Sequence, residues 1–235
     1  MSREVIKDLA DADAVAKTAA HDLVVELQQL LKSQASVNLV LTGGTVGIKM
    51  LSELAKVITP FELERLFIWF GDERFVQFDS SDRNYVQARE ALLSKISIPE
   101  TNVHAMPSTE DGDLLASSSA FGEMMTAENP SFDIVLLGMG DDGHVASLFP
   151  GSAPIEFGRW VVAEPHSPKP PAQRISLSIA ALSTANQVWY LVAGKEKANA
   201  VSRVFRGDNL PAAKVSGKRR TRWYLDKAAA SEITS

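Results

Sequence analysis

The chain contains no cysteine in 235 residues. Disulfides, thiolate nucleophiles and cysteine metal sites are therefore excluded, as fits a reducing compartment. It has only four histidines and none in the H-E-x-x-H spacing of a metallohydrolase, so neither a metal nor any other cofactor is expected. No apolar run approaches the roughly 18 residues of a membrane helix, and the amino terminus, MSREVIKDLADADAVAK, has no signal-like apolar core. The expectation is a cytoplasmic protein with no membrane partner. Positive charge is also in short supply: 24 Lys and Arg stand against 29 Asp and Glu, for a net charge of −5. That balance gives no general attraction to nucleic acid, and an anionic ligand would need a local basic pocket. The one basic cluster, Lys214, Lys218, Arg219, Arg220 and Arg222, is short, abuts the apolar WYL, and reads as a solvated face. Repeats and low-complexity tracts are absent, and nothing signals oligomeric state; a monomer is compatible with the sequence.

What is present is ordinary for a soluble domain, with 45% hydrophobic and 23% charged residues. A single domain over residues 1–235 is expected, because the proline-rich stretches 150–158 and 167–171 are too short for linkers. Short apolar runs predict strands at 37–41, 66–70, 132–137, 160–164, 174–179 and 188–193, with a strand-like segment at 101–106. Helical spacing predicts helices at 9–31, 48–57, 84–96, within 113–127, and at 195–205, and the first residues of the chain read as a helix start. Continuously apolar strands alternating with helices predict an α/β fold with a mostly parallel sheet covered on both faces.

The chemistry-bearing residues fall where strands run into turns, as in open α/β sheets that bind ligands at their carboxyl edge. Thr42-Gly43-Gly44-Thr45 joins a buried strand to a helix. Free N–H groups there can cradle a phosphate, although a tight turn with a threonine cap explains the same letters, and a threonine variant of the nucleophile elbow also fits them. Gly71-Asp72-Glu73-Arg74 places three charges at a strand end, either as a solvated loop or as part of a site. Ser81-Asp82-Arg83-Asn84-Tyr85 starts a helix; Asp82 or Asn84 caps it, or Asn84 and Tyr85 reach sugar hydroxyls. Gly138-Met139-Gly140-Asp141-Asp142-Gly143 matches the G-x-G-x-x-G dinucleotide fingerprint. That reading is set aside because two aspartates sit where a pyrophosphate would, and Pro150 cuts short the helix that should follow. His144, in a turn of carboxylates and glycines, is a candidate acid/base. Arg174 and Lys197, at the ends of two further elements, are candidate anion ligands if those ends converge.

Together LTGGT, GDER, Asn84-Tyr85, LLGMGDDGHVASLFPG, RISL, GKEKA and the late WYLD resemble the 6-phosphogluconolactonases, over roughly residues 39–225. The family is related in fold to the glucosamine-6-phosphate deaminases, which implies a Rossmann-like three-layer α/β/α arrangement. Those usually read FNEP after the DGH turn, where this chain reads SLFP. The family commonly has proline after the first glycine turn; here Val46-Gly47 follows it. The resemblance implies a small-molecule sugar-phosphate substrate and hydrolysis of 6-phospho-D-glucono-1,5-lactone in the oxidative pentose phosphate pathway. Carried over motif by motif, it implies that Gly43, Gly44, Thr45, Arg174 and Lys197 hold the phosphate. Asp72 and Arg74 would line the sugar site with Asn84, Gly140 and Asp141, and His144 would activate water. A lactone is an activated ester, so no covalent nucleophile is required. On this scheme Arg74 and the N–H groups of residues 138–143 would stabilise the oxyanion, and Asp72 or Asp141 would orient the imidazole.

Overall fold

The computed structural model describes residues 2–58 and 63–233. A six-stranded sheet has the order β1 (Ser2–Leu9), β10 (Arg220–Asp226), β9 (Gln187–Val192), β5 (Ile134–Leu137), β2 (Val37–Leu41) and β3 (Leu66–Phe70). Every pairing in it is parallel. Helices cover both sides, as parallel strands that are apolar on both faces require. The two strands predicted at 37–41 and 66–70 have those bounds.

α1 (Ala12–Ser33) starts where the Asp11 carboxylate accepts a hydrogen bond from the Ala14 N–H at 2.9 Å. It buries Val15, Ala16, Ala19, Ala20, Leu23, Leu27 and Leu31, a stripe at helical spacing. It packs on α2 (Gly44–Val57) and against β9 and β10. The remaining helices are α3 (Asn84–Ala91), α4 (Leu114–Glu128), α5 (Ile179–Leu182), α6 (Ala198–Phe205) and α7 (Pro211–Lys214). Those predicted at 84–96 and 195–205 are each part 3-10: α3 gives way to a 3-10 turn at Leu93–Lys95, and another at Lys195–Lys197 precedes α6.

Three expectations are corrected. The first residues form β1, not the start of a helix. Ser2 pairs with Arg220 and Ile6 with Tyr224, so the first described strand lies beside the last. The segment at 101–106 is no strand; it touches β3 only through a bridge between Val103 and Ile68. The strands near 160 and 174 do not join the parallel sheet. β7 (Val161–Glu164) and β8 (Arg174–Leu177) form an antiparallel sheet with β6 (Ile155–Phe157) and β4 (Asp72–Arg74), in the order β4-β8-β7-β6. α4 packs against that smaller sheet. In consequence GDER is neither loop nor solvated. β4 pairs Asp72 with Ser176 and Arg74 with Arg174, which puts the charged motif under a second layer of structure.

Within the basic cluster, Arg220 and Arg222 are engaged in structure. Arg222 meets Glu4 at 2.7 Å and Asp22 at 3.2 Å, and Arg220 meets Glu4 at 3.2 Å and Glu26 at 3.4 Å. These pairs fasten the outer strands β1 and β10 to α1.

Candidate active site

The topological switch of the large sheet lies at β2, whose neighbours are β3 on one side and β5 on the other. The turns leaving β2 and β5 are tied together by the Gly138 N–H, which donates to Thr42 Oγ1 at 3.2 Å. A cavity of about 430 Å³ opens there, of a size suited to a sugar phosphate. Gly43, Gly44, Thr45, Asp72, Arg74, Asn84, Gly140, His144, Arg174 and Lys197 all line it. Of the residues expected in the site, Asp141 is the exception. It points to Lys169 Nζ at 2.9 Å and is largely exposed.

The first wall of the cavity is the Thr42–Gly47 turn. α2 begins at Gly44 with Gly43 as N-cap, and no side chain caps it. Its orphan first-turn N–H groups are therefore available to an anion. Gly44 has φ +78°, a left-handed conformation that favours glycine. At Gly43 the constraint is proximity: an added Cβ would lie 2.6 Å from Asn84 Cγ. The glycine is what lets the Asn84 side chain, itself buried, close on the turn.

The opposite wall carries His144. Its Nδ1 lies 2.6 Å from Asp142 Oδ1, and its backbone N–H donates to the same oxygen at 3.0 Å. Burial pushes the imidazole below its ordinary pKa, and the Asp142 charge offsets only part of that. For the Asp142 carboxyl, burial pulls upward, but the His144 N–H groups and charge outweigh it and hold it below the usual carboxylate range. The lowered imidazole pKa favours a neutral ring, and the carboxylate beside Nδ1 favours the tautomer that donates from Nδ1 and leaves Nε2 as an acceptor. The Phe149 ring lies 4.6 Å from the imidazole, centroid to centroid, and walls it. Gly140 makes room for the pair, since a Cβ there would fall 2.5 Å from Asp142 Oδ1 and inside the His144 ring.

Neither aspartate expected to orient the imidazole does so. Asp72 is buried, with Oδ2 accepting from Ser147 Oγ at 2.6 Å and Oδ1 from Asn84 Nδ2 at 3.1 Å. The partner of His144 is Asp142, two residues along the same turn. The backbone of that turn is also less available than expected. The N–H groups of Gly138, Gly140 and Gly143 donate to Thr42 Oγ1, the His144 carbonyl and the Gly140 carbonyl.

Glu73, named in the sequence only as one of three charges at a strand end, has a structural role. Fully buried, it accepts from the backbone N–H groups of Arg74 (2.8 Å), Asn84 (2.7 Å) and Tyr85 (2.9 Å), and Arg83 Nε lies 3.5 Å from its carboxylate. It thus caps α3 from outside and fixes Asn84 against β4. Arg74 Nη1 donates to the Asp82 carbonyl, while its Nε has no partner. Arg174 donates from Nε to the Pro171 carbonyl (2.7 Å) and from Nη2 to the carbonyls of Lys169 and Pro170 (both 3.1 Å). Arg174 therefore clamps the 169–171 loop as well as lining the cavity. Burial lowers its pKa, with Asp72 pulling the other way. Lys169 also lines the cavity, so four cations, Arg74, Lys169, Arg174 and Lys197, surround it. They supply the local basic pocket that a chain of net negative charge needs for an anion. His104 lies elsewhere, stacked on Trp69 at 3.8 Å. Among the described residues no group of three or more His, Asp or Glu side chains is arranged to hold a metal ion.

A 6-phosphogluconolactonase of Mycobacterium tuberculosis is 38% identical over 98% of each chain, and one of Streptomyces coelicolor is 40% identical over 95% of this chain and 92% of its own. The crystal structure of 6-phosphogluconolactonase from Thermotoga maritima superposes with a TM-score of 0.87 at 28% identity, covering 96% of this chain and all of that one. A monomeric glucosamine-6-phosphate deaminase shares the fold, with a TM-score of 0.79 at 18% identity over 97% of this chain and 99% of that one. The family described as glucosamine-6-phosphate isomerases/6-phosphogluconolactonase matches residues 10–223, and this chain belongs to that family.

Proposed function

We propose that this protein hydrolyses 6-phospho-D-glucono-1,5-lactone to 6-phospho-D-gluconate, with His144 as the base that activates water. The observation that carries the reading is the His144–Asp142 pair, with Nδ1 2.6 Å from Oδ1, in the same cavity as an uncapped helix start and four cations. The phosphate is held by the first-turn N–H groups at Gly43–Thr45 together with Arg174 and Lys197. Asn84 and Asp72 contact sugar hydroxyls. Nε2 takes a proton from water as its oxygen attacks C1, help typically worth about 10²–10⁴-fold. Arg74 faces the developing oxyanion. Protonated His144 then returns the proton to the departing ring oxygen, and Asp142 stabilises the imidazolium between the two steps. Binding energy from the remote phosphate positions the carbonyl, so a dephosphorylated lactone loses turnover as well as affinity.

A deaminase needs a carboxylate free to move a proton on carbon. Asp72 has both oxygens engaged, by Ser147 and Asn84, which favours hydrolysis. The deciding experiment is freshly generated lactone with and without protein, in the presence of a chelator, beside an ammonia-release assay on glucosamine 6-phosphate. Hydrolysis well above the spontaneous rate is expected, with no ammonia. Ammonia release without lactone hydrolysis would reverse the assignment.

A further inference from the structure

We infer that Lys169 is the receptor for the carboxylate created at C1, a contact that product makes and the uncharged lactone cannot; this rests on the lactonase reading above. In the reaction the water oxygen bonds to C1, the bond between C1 and the ring oxygen breaks, the ring oxygen takes a proton, and the new acid releases one to solvent. A cavity that opened around a neutral carbonyl thus ends around an anion, beside His144.

Lys169 lines the cavity with His144, and its ammonium lies 2.9 Å from the carboxylate of Asp141, three residues ahead of that ring. Arg174 is surrounded instead by Asp72, Arg74, Glu73 and Asp82. The Lys169 backbone is fixed on both sides. Its N–H donates to Ser167 Oγ at 3.2 Å, and its carbonyl accepts from that hydroxyl at 2.9 Å and from Arg174 Nη2 at 3.1 Å. The side chain, by contrast, is held only by Asp141, in a pair whose partners are 47% and 57% exposed. Such a pair contributes little and is readily exchanged. A rigid base with an exchangeable ammonium at the reacting end of the cavity is suited to leave one carboxylate for another.

The test is calorimetric titration of the native protein and of Lys169→Met with two probes, 6-phosphogluconate and glucitol 6-phosphate. These share the phosphate and differ at C1, where one has a carboxylate and the other a hydroxyl. The variant should bind 6-phosphogluconate about tenfold more weakly, the order of one charge-assisted hydrogen bond at a half-exposed site, and glucitol 6-phosphate within about twofold of native. Asp141→Asn should tighten 6-phosphogluconate, and only while Lys169 is present. Equal weakening of both probes would make Lys169 a phosphate ligand, and no weakening of either would remove it from recognition; each result overturns the proposal. Native protein that binds 6-phosphogluconate but leaves the lactone intact would defeat the lactonase reading, while the probe pair still judges the carboxylate contact. If native protein binds neither probe, both readings fail.

Discussion

Gly140→Ala is the sharpest test of the His144 geometry, because the change adds one methyl group and removes no chemical group. Gly140 does not occupy the left-handed region, so alanine brings no backbone strain of that kind. Its Cβ would lie 2.5 Å from Asp142 Oδ1 and closer still to Nδ1 and Cε1 of His144, whereas ordinary contact begins at 3.4 Å. The imidazole and carboxylate must therefore retreat by about an ångström or more, and a misplacement of that size at a catalytic group costs on the order of 100-fold. Stability should suffer much less, because the displaced groups are in a turn at the cavity rather than in the core. The assay is kcat on fresh lactone, corrected for spontaneous hydrolysis, with a thermal melt and 6-phosphogluconate titration as controls. A drop in kcat of about 100-fold with near-native melting and product binding is expected. Turnover within twofold of native in the folded variant would mean that the observed His144–Asp142 pair is not the working arrangement.

Four further outcomes follow from the same structure. His144→Ala should lower kcat by about 10²–10⁴-fold while still binding 6-phosphogluconate. In the native protein activity should fall as pH drops and Nε2 is protonated; because burial lowers the His144 pKa, the midpoint of that acid limb should lie below the ordinary 6.5, and a midpoint above it in a kcat/KM profile would contradict the assignment. Gly43→Ala forces the buried Asn84 side chain away from the phosphate turn and should raise KM about tenfold or more, with an overpacking loss of about 1–3 kcal/mol read from denaturant unfolding. Glu73→Gln leaves the fully buried Arg83 without its carboxylate and should cost on the order of 3–5 kcal/mol, so an unchanged unfolding midpoint would show that the pair adds nothing net.

The sequence made the central strands readable because they are buried on both faces. VNLVL and LFIWF have no other comfortable state, and their bounds came out as predicted. The outer strand did not stand out for the opposite reason. SREVIKDL is an edge strand, largely exposed and rich in charge, which is how sheets blunt their borders, and those same residues are good helix formers directly ahead of a real helix. GDER looked like a solvated loop because its antiparallel partner, RISL, comes 100 residues later, and no local pattern announces that pairing. Gly43, His144 and Lys197 follow strands of the large sheet and Arg174 opens a strand of the small one; the sequence offered each as a candidate, but their meeting in one cavity came only with the fold. Their partners were harder to read. Asp142 reaches His144 across a two-residue turn, a contact with no periodic signature. Lys169 lies in a proline-rich loop whose path is set by the Arg174 clamp. Glu73 acts on a helix start eleven residues away.

The parallel neighbours β1 and β10 carry a consequence for how the molecule is made. On a ribosome the residues of β1 emerge long before residues 220–226, the strand they must lie against. Until then the nascent chain presents β9 as a bare border and carries an unmatched β1, so the large sheet can be completed only once β10 has been made. Contacts so distant along the chain are slow to form. Shortening the gene ahead of Arg220 would therefore strand both ends at once.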